Sequence, residues 1–277
     1  MDYVAAMRTE YRRGEAVLWS SLAVKATIFV CAILDAIWSD RFAKGALLFV
    51  PFAQAVLFFL RYRSSNHVER GDKLRVAAIL EDGLGDQPSK MDIAALKYAV
   101  GMIDPMPQQG LYYTSMLPKG PTRLIENVAE SAFFSGMISE QAASLIIGCA
   151  VISFFGLAFS SAAVVQLGAG TSGIDIASKL VFVGVQFWVT DELIAMALRY
   201  KAISNECQRI TAKSEGLFNC PEPTMSQAYS ILLDYANAMA QSPPLPAKIY
   251  KHRVKRLTDA WALRSDKARH STSQTGS

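Results

Sequence analysis

The sequence predicts an all-α integral membrane protein, with two transmembrane helical hairpins carrying a helical cytoplasmic body. Three observations point there. Apolar residues concentrate in two blocks, roughly 17–60 and 142–198, while the segments between and beyond them are charged and ordinary. Over 277 residues, 51% are apolar and the mean hydropathy is +0.20, above a typical water-soluble domain and below a pure transporter. No stretch alternates apolar and polar residues with period two, so no substantial sheet is expected.

The first span runs from Val17 to Trp38 and includes Lys25 and Asp35. At 1.5 Å per residue it reaches about 33 Å, enough for a hydrocarbon core of about 30 Å. Gly45 to Leu60 forms the second span, extended by Phe42 and by Arg61 and Arg63, whose long side chains reach the interface. Ala142 to Leu167 is free of charge, and it is the strongest membrane signal in the chain. The fourth span, Ile174 to about Leu198, carries Asp175, Lys179, Asp191 and Glu192. A signal peptide is a poor reading of the first run, because its apolar core is too long and no A-x-A site follows.

Lysine and arginine placement sets the predicted orientation. Arg8, Arg12 and Arg13 precede the first span, Arg61 to Arg75 follow the second, and Arg199 to Lys213 follow the fourth. The first hairpin turn has only Arg41 and Lys44, and the second turn has neither. Both termini and the middle segment are thus expected on the cytoplasmic side of a cell membrane. The resulting organisation is a cytoplasmic segment over 1–16, a hairpin over 17–61, a helical insert over 62–140, a second hairpin over 141–198, a helical region over 199–264 and a disordered tail over 265–277.

Within the soluble parts, Asn66 to Leu80 continues the second span as helix until Gly83 and Gly85 end it. Ser89 with Asp92 resembles a capping box opening a helix through Val100. A helix from about Thr122 places Leu124, Val128 and Ala132 on one stripe. Met225–Ala240 follows the turn at Pro221 and Pro223, and a last helix runs from about Ala247 to Leu263. On that helix Tyr250, Val254, Leu257 and Trp261 share a face, with Lys248, Lys251, His252, Lys255 and Arg256 opposite. The basic face fits phosphates or anionic headgroups, or an ordinary solvated surface.

Intramembrane charges carry the most functional information. Each costs about 2.5–3.5 kcal/mol at the bilayer centre, so such residues pair or face an aqueous path. Depth along the helices matches Lys25 with Asp191 or Glu192, and Asp35 with Lys179. Lys25, Asp35, Lys179, Asp191 and Glu192 are the pore or gating candidates; structural pairing, or snorkelling to an interface as suits Asp35 and Asp175, is the alternative reading. Gly156 with Ser160 and Ala158 with Ala162 would let a third-span helix be approached closely.

Other chemistry is excluded or unsupported. Gly168 to Gly173 fits G-x-G-x-x-G, but a membrane helix precedes it where a dinucleotide site needs a strand, so it reads as a hairpin turn. A net charge of +4 is too weak to argue for nucleic acid. Cys31, Cys149, Cys207 and Cys220 lack paired spacing, and His67, His252 and His270 are scattered, so neither disulfides nor a metal centre is expected. No P-loop or serine–histidine–aspartate context occurs, so neither an enzyme nor a cofactor is expected.

Taken together, this layout resembles the SMODS-associating four-transmembrane effector family of bacterial anti-phage defence. The resemblance covers the chain to about Trp261 and rests on Ile79 to Gly85, Tyr112-Tyr-Thr and Pro243-Pro-Leu-Pro-Ala-Lys-Ile-Tyr-Lys-His-Arg253. The chain departs from the pattern in lacking a tryptophan after the Gly-Leu element and in having Glu126-Asn-Val where a glutamine–arginine pair is common. The resemblance implies a membrane-permeabilising effector of the inner membrane, homo-oligomeric and most simply tetrameric. It also implies gating by a nucleotide or oligonucleotide from a partner nucleotidyltransferase. Arg123, Lys248, Lys251, Arg253, Lys255 and Arg256 are the candidates for contact with that anionic ligand. A membrane-tethered scaffold and a small transporter are the alternative readings.

Overall fold

In the computed structural model, residues 2–37, 43–86, 112–167, 193–218, 220 and 222–274 are described. Among them the regular structure is entirely helical: α1 (Tyr3–Ile37), α2 (Ala43–Leu84), α3 (Pro121–Leu167), α4 (Leu193–Phe218), α5 (Met225–Ala240) and α6 (Ala247–Gln274). The all-α expectation holds. Among the described residues one stretch, Pro121–Gly156 in α3, is long and apolar enough to cross a membrane by length and composition.

Local chemistry explains several helix ends. Asp2 caps α1, its Oδ1 accepting from the N–H groups of Val4 (3.1 Å) and Ala5 (3.0 Å). Gly85, with φ of 79°, stops α2 in a left-handed conformation that costs other residues strain. Pro121 opens α3 at the position where a missing N–H costs nothing. Thr224 and Gln227 cap α5 reciprocally. Ser242 to Pro246 then forces an extended link, held where the Tyr200 hydroxyl donates to the Pro244 carbonyl at 2.6 Å.

The last helix differs from its sequence expectation. It runs to Gln274, through the stretch predicted to be a disordered tail from 265. No glycine or proline interrupts 247–274, so nothing in the chain stops the helix sooner.

The chain divides into two compact units. Unit 1 comprises Met1–Glu15, Ser65–Ala142 and Arg199–Ser277; unit 2 comprises Ala16–Ser64 and Ala143–Leu198. In unit 1, Ile79, Leu124, Val128, Ile210, Ile231 and Tyr235 belong to one buried core drawn from α2, α3, α4 and α5. The predicted stripe Leu124, Val128 and Ala132 is fully buried. Close approach is built in at Gly83, where a Cβ would lie 2.9 Å from the Leu124 Cα. The start of α1 packs Tyr3, Met7 and neighbours against Leu74 and Ala78 of α2.

Unit 2 buries Ala53 and Leu57 but turns many large apolar residues outward. Phe52 (68% exposed), Phe58 (75%), Phe155 (66%) and Phe159 (79%) face outward, whereas Ser21 and Lys25 are buried.

Candidate functional site

The centre of unit 1 holds a cation that ordinary core chemistry would avoid. Arg75 lies on the inward stripe of α2, flanked at four-residue spacing by Gly71 and Ile79, and is 7% exposed. Its guanidinium sits 4.7 Å from the ring centre of Tyr11 on α1 and 5.9 Å from that of Tyr235 on α5. Arg75 Nη1 donates to Tyr235 Oη at 2.8 Å. The Tyr235 oxygen thus accepts from Arg75, and it also shares a hydrogen bond with Ser135 Oγ on α3, 3.1 Å away. Tyr11 donates its hydroxyl to Asp72 Oδ1.

Two aromatic faces, a phenol oxygen and a nearby carboxylate compensate this buried charge. Burial pushes the Tyr11, Tyr112 and Tyr235 phenols up, so all three stay protonated. Burial also raises the Asp72 carboxyl, against the pull of Arg75. Among the described residues, Asp72 Oδ2 has no hydrogen-bond partner. The cluster draws on four helices, α1, α2, α3 and α5. It can hold a permanent positive charge at a point where those helices meet, so a change in one is felt by the rest.

A second buried charge lies on α1. Glu10, wholly buried, accepts from Arg13 Nη1 at 2.8 Å and meets His67 Nδ1 at 2.8 Å. Neither Arg75 nor Glu10 stood out in the sequence, where Arg75 counted only as a topology marker and His67 as an isolated histidine. The available signal was helical phase: Glu10 continues the Tyr3–Met7 stripe, just as Arg75 continues the Val68–Gly71 one.

Among the pore or gating candidates, Lys25 is 6% exposed on α1. Ser21, about one turn earlier, is buried with it in unit 2. The Asp35 backbone is helical, while its side chain lies outside the described part. Lys179, Asp191 and Glu192 lie outside the described residues, so the paired contacts proposed for them have no geometry here. The predicted turn at Gly168–Gly173 and the helix from Ser89 also fall outside. Gly156 is exposed, and a Cβ there would meet no heavy atom within 4 Å.

The ligand candidates split. Arg123 donates Nε and Nη2 to Asp82 (3.0 and 2.8 Å) and Nη1 to the Leu117 carbonyl (2.8 Å). This bidentate pair joins α2 to α3 and serves the fold, so Arg123 does not present its fork to an anion. Lys248, Lys251, Arg253, Lys255 and Arg256 are all exposed on α6, while Leu257 and Trp261 are buried on its other side. No family model, curated protein or solved structure matches the chain.

Proposed function

We propose that this chain is a multi-pass, membrane-permeabilising effector of a bacterial anti-phage defence system. In this reading it sits in the inner membrane with both termini in the cytoplasm, and identical copies assemble around a conducting path. A nucleotide or oligonucleotide made by a partner nucleotidyltransferase binds unit 1 and shifts a closed-to-open equilibrium; it can do so only by binding the two states unequally. Lys251, Lys255 and Arg256, exposed on one face of α6, are the contacts to test for that ligand.

One observation carries the membrane part of the reading. Unit 2 turns large apolar side chains such as Phe58, Phe155 and Phe159 outward and keeps Ser21 and Lys25 inside. Water penalises that arrangement and lipid favours it, because apolar area left in water costs about 25 cal/mol per Å². A buried lysine in such a surrounding belongs to a polar path or a pair. The defence role and the ligand class rest on the family resemblance.

Expression in bacterial cells with a membrane-potential dye tests the proposal. Depolarisation and growth arrest on induction are expected, and Lys25→Met should blunt both at equal membrane abundance. A full membrane potential with abundant protein in the membrane fraction would instead favour a tethered scaffold. A polypeptide freely soluble and monodisperse without detergent would end the membrane reading altogether.

A further inference from the structure

Unit 1 is bounded along α1 by Glu15 and along α4 by Arg199, where those helices pass to or from unit 2. A short strap of chain is bonded at both places. Tyr200 donates its hydroxyl to the Pro244 carbonyl at 2.6 Å, and Ala247 N–H donates to Glu15 Oε2 at 3.1 Å. Pro244 to Ala247 thus fix the start of α6 at this edge of unit 1. Three exposed cations stand within one helical turn of the tethered residues: Arg12 on α1, Arg199 on α4 and Lys248 on α6.

These three share the lack of an internal counter-charge. Among the described residues none of them is paired with a carboxylate. Lys73, Lys201, Arg209 and Lys213, also exposed on unit 1, pair with Glu69, Glu140, Glu206 and Asp234. Across the boundary the outward side chains change class. Leu198, exposed, precedes Arg199, and Trp19, exposed, lies four residues past Glu15. Helix α2 passes from unit 2 to unit 1 between Ser64 and Ser65, and Phe58, Phe59 and Tyr62 are exposed just before that point. Exposed tryptophan and tyrosine between an apolar stretch and a cationic one mark the depth where hydrocarbon gives way to headgroups.

We propose that Arg12, Arg199 and Lys248 form a binding site for the phosphates of anionic phospholipids, which seats the start of α6 on the cytoplasmic leaflet. The site requires that unit 2 be membrane-embedded, as proposed above. Lys251, Lys255 and Arg256, further along α6, stay with the nucleotide. Each guanidinium can take two oxygens of one phosphate, while Lys248 supplies a point charge. Each lysine or arginine held near an anionic leaflet is worth about fivefold in affinity. A headgroup held by all three ties α1, α4 and α6 together, so lipid composition bears on how firmly the strap is seated.

Hydrogen exchange of residues 247–254, in the full-length chain reconstituted into lipid nanodiscs, tests this. Exchange is expected to be at least about fivefold slower in discs containing phosphatidylglycerol than in discs of phosphatidylcholine alone, and high salt should shrink the difference. The triple variant Arg12→Gln, Arg199→Gln, Lys248→Gln should exchange equally in both discs. Arg12→Lys, Arg199→Lys, Lys248→Arg should keep the difference. So should Lys73→Gln, Arg209→Gln, Lys213→Gln, which removes as much charge elsewhere on unit 1. Inorganic phosphate added to phosphatidylcholine discs should not reproduce the slowing. Equal wild-type rates in the two discs, a difference that survives the first triple variant or is lost in either of the others, or slowing by free phosphate would each overturn the lipid site. A chain that does not enter discs at all would end the membrane reading, and the site with it.

Discussion

Helix α1 keeps Met7, Glu10 and Gly14 buried within unit 1 and Ser21 and Lys25 buried within unit 2. Its outward face, by contrast, passes from Arg8, Arg12 and Arg13 to Trp19 and Val30. Each unit thus buries its own residues of the helix, although the exposed residues reverse their character. Helix α3 repeats the pattern: Leu124 and Val128 are sealed inside unit 1, while Ile152 and Phe155 lie exposed in unit 2. The inward stripe answers to packing, and the outward residues answer to whatever solvent surrounds each unit. That is why polar groups can be buried in both units while apolar ones are exposed chiefly in one.

This contrast can be broken most directly by truncating apolar residues in each unit. Leu124→Ala should cost about 2–5 kcal/mol, because it opens a cavity in a fully enclosed core. Phe155→Ala, 66% exposed, should stay within about 0.5 kcal/mol in detergent. Denaturant unfolding of the two detergent-solubilised variants checks the pair. Equal losses would mean that unit 2 packs its phenylalanines as an ordinary core does.

A smaller effect sharpens the comparison within unit 1. Tyr235→Phe removes the phenol that accepts from Arg75 and that meets Ser135. Losing a bond to a charged group costs about 1.5–3 kcal/mol, read as a lowered unfolding midpoint with unchanged slope. Smallest of all is Lys73→Ala. Its i,i+4 pair with Glu69 is 63% and 64% exposed, so the change should not exceed about 0.5 kcal/mol and should vanish in high salt.

Much of the helical layout was legible in the chain. The bounds Met225–Ala240 and the start at Ala247 follow from proline-rich breaks and helical spacing, and Leu257 and Trp261 are buried as their phase requires. The end of the last helix was not legible, since polar composition after Ser265 does not by itself break a helix that lacks glycine and proline. Arg123 looked available to an anion because Asp82, 41 residues away, cannot be assigned to it from sequence.

By itself the sequence determined the helices, their inward stripes and the apolar blocks, because periodicity and breakers act within a few residues. Only the tertiary structure decided which charges are enclosed and by what. Arg75 finds its phenol partner 160 residues away on α5, and Trp261 reaches Thr114 across 147 residues. A charge's environment is set by groups that meet only when the chain is folded, so its burial and its proton affinity belong to the fold.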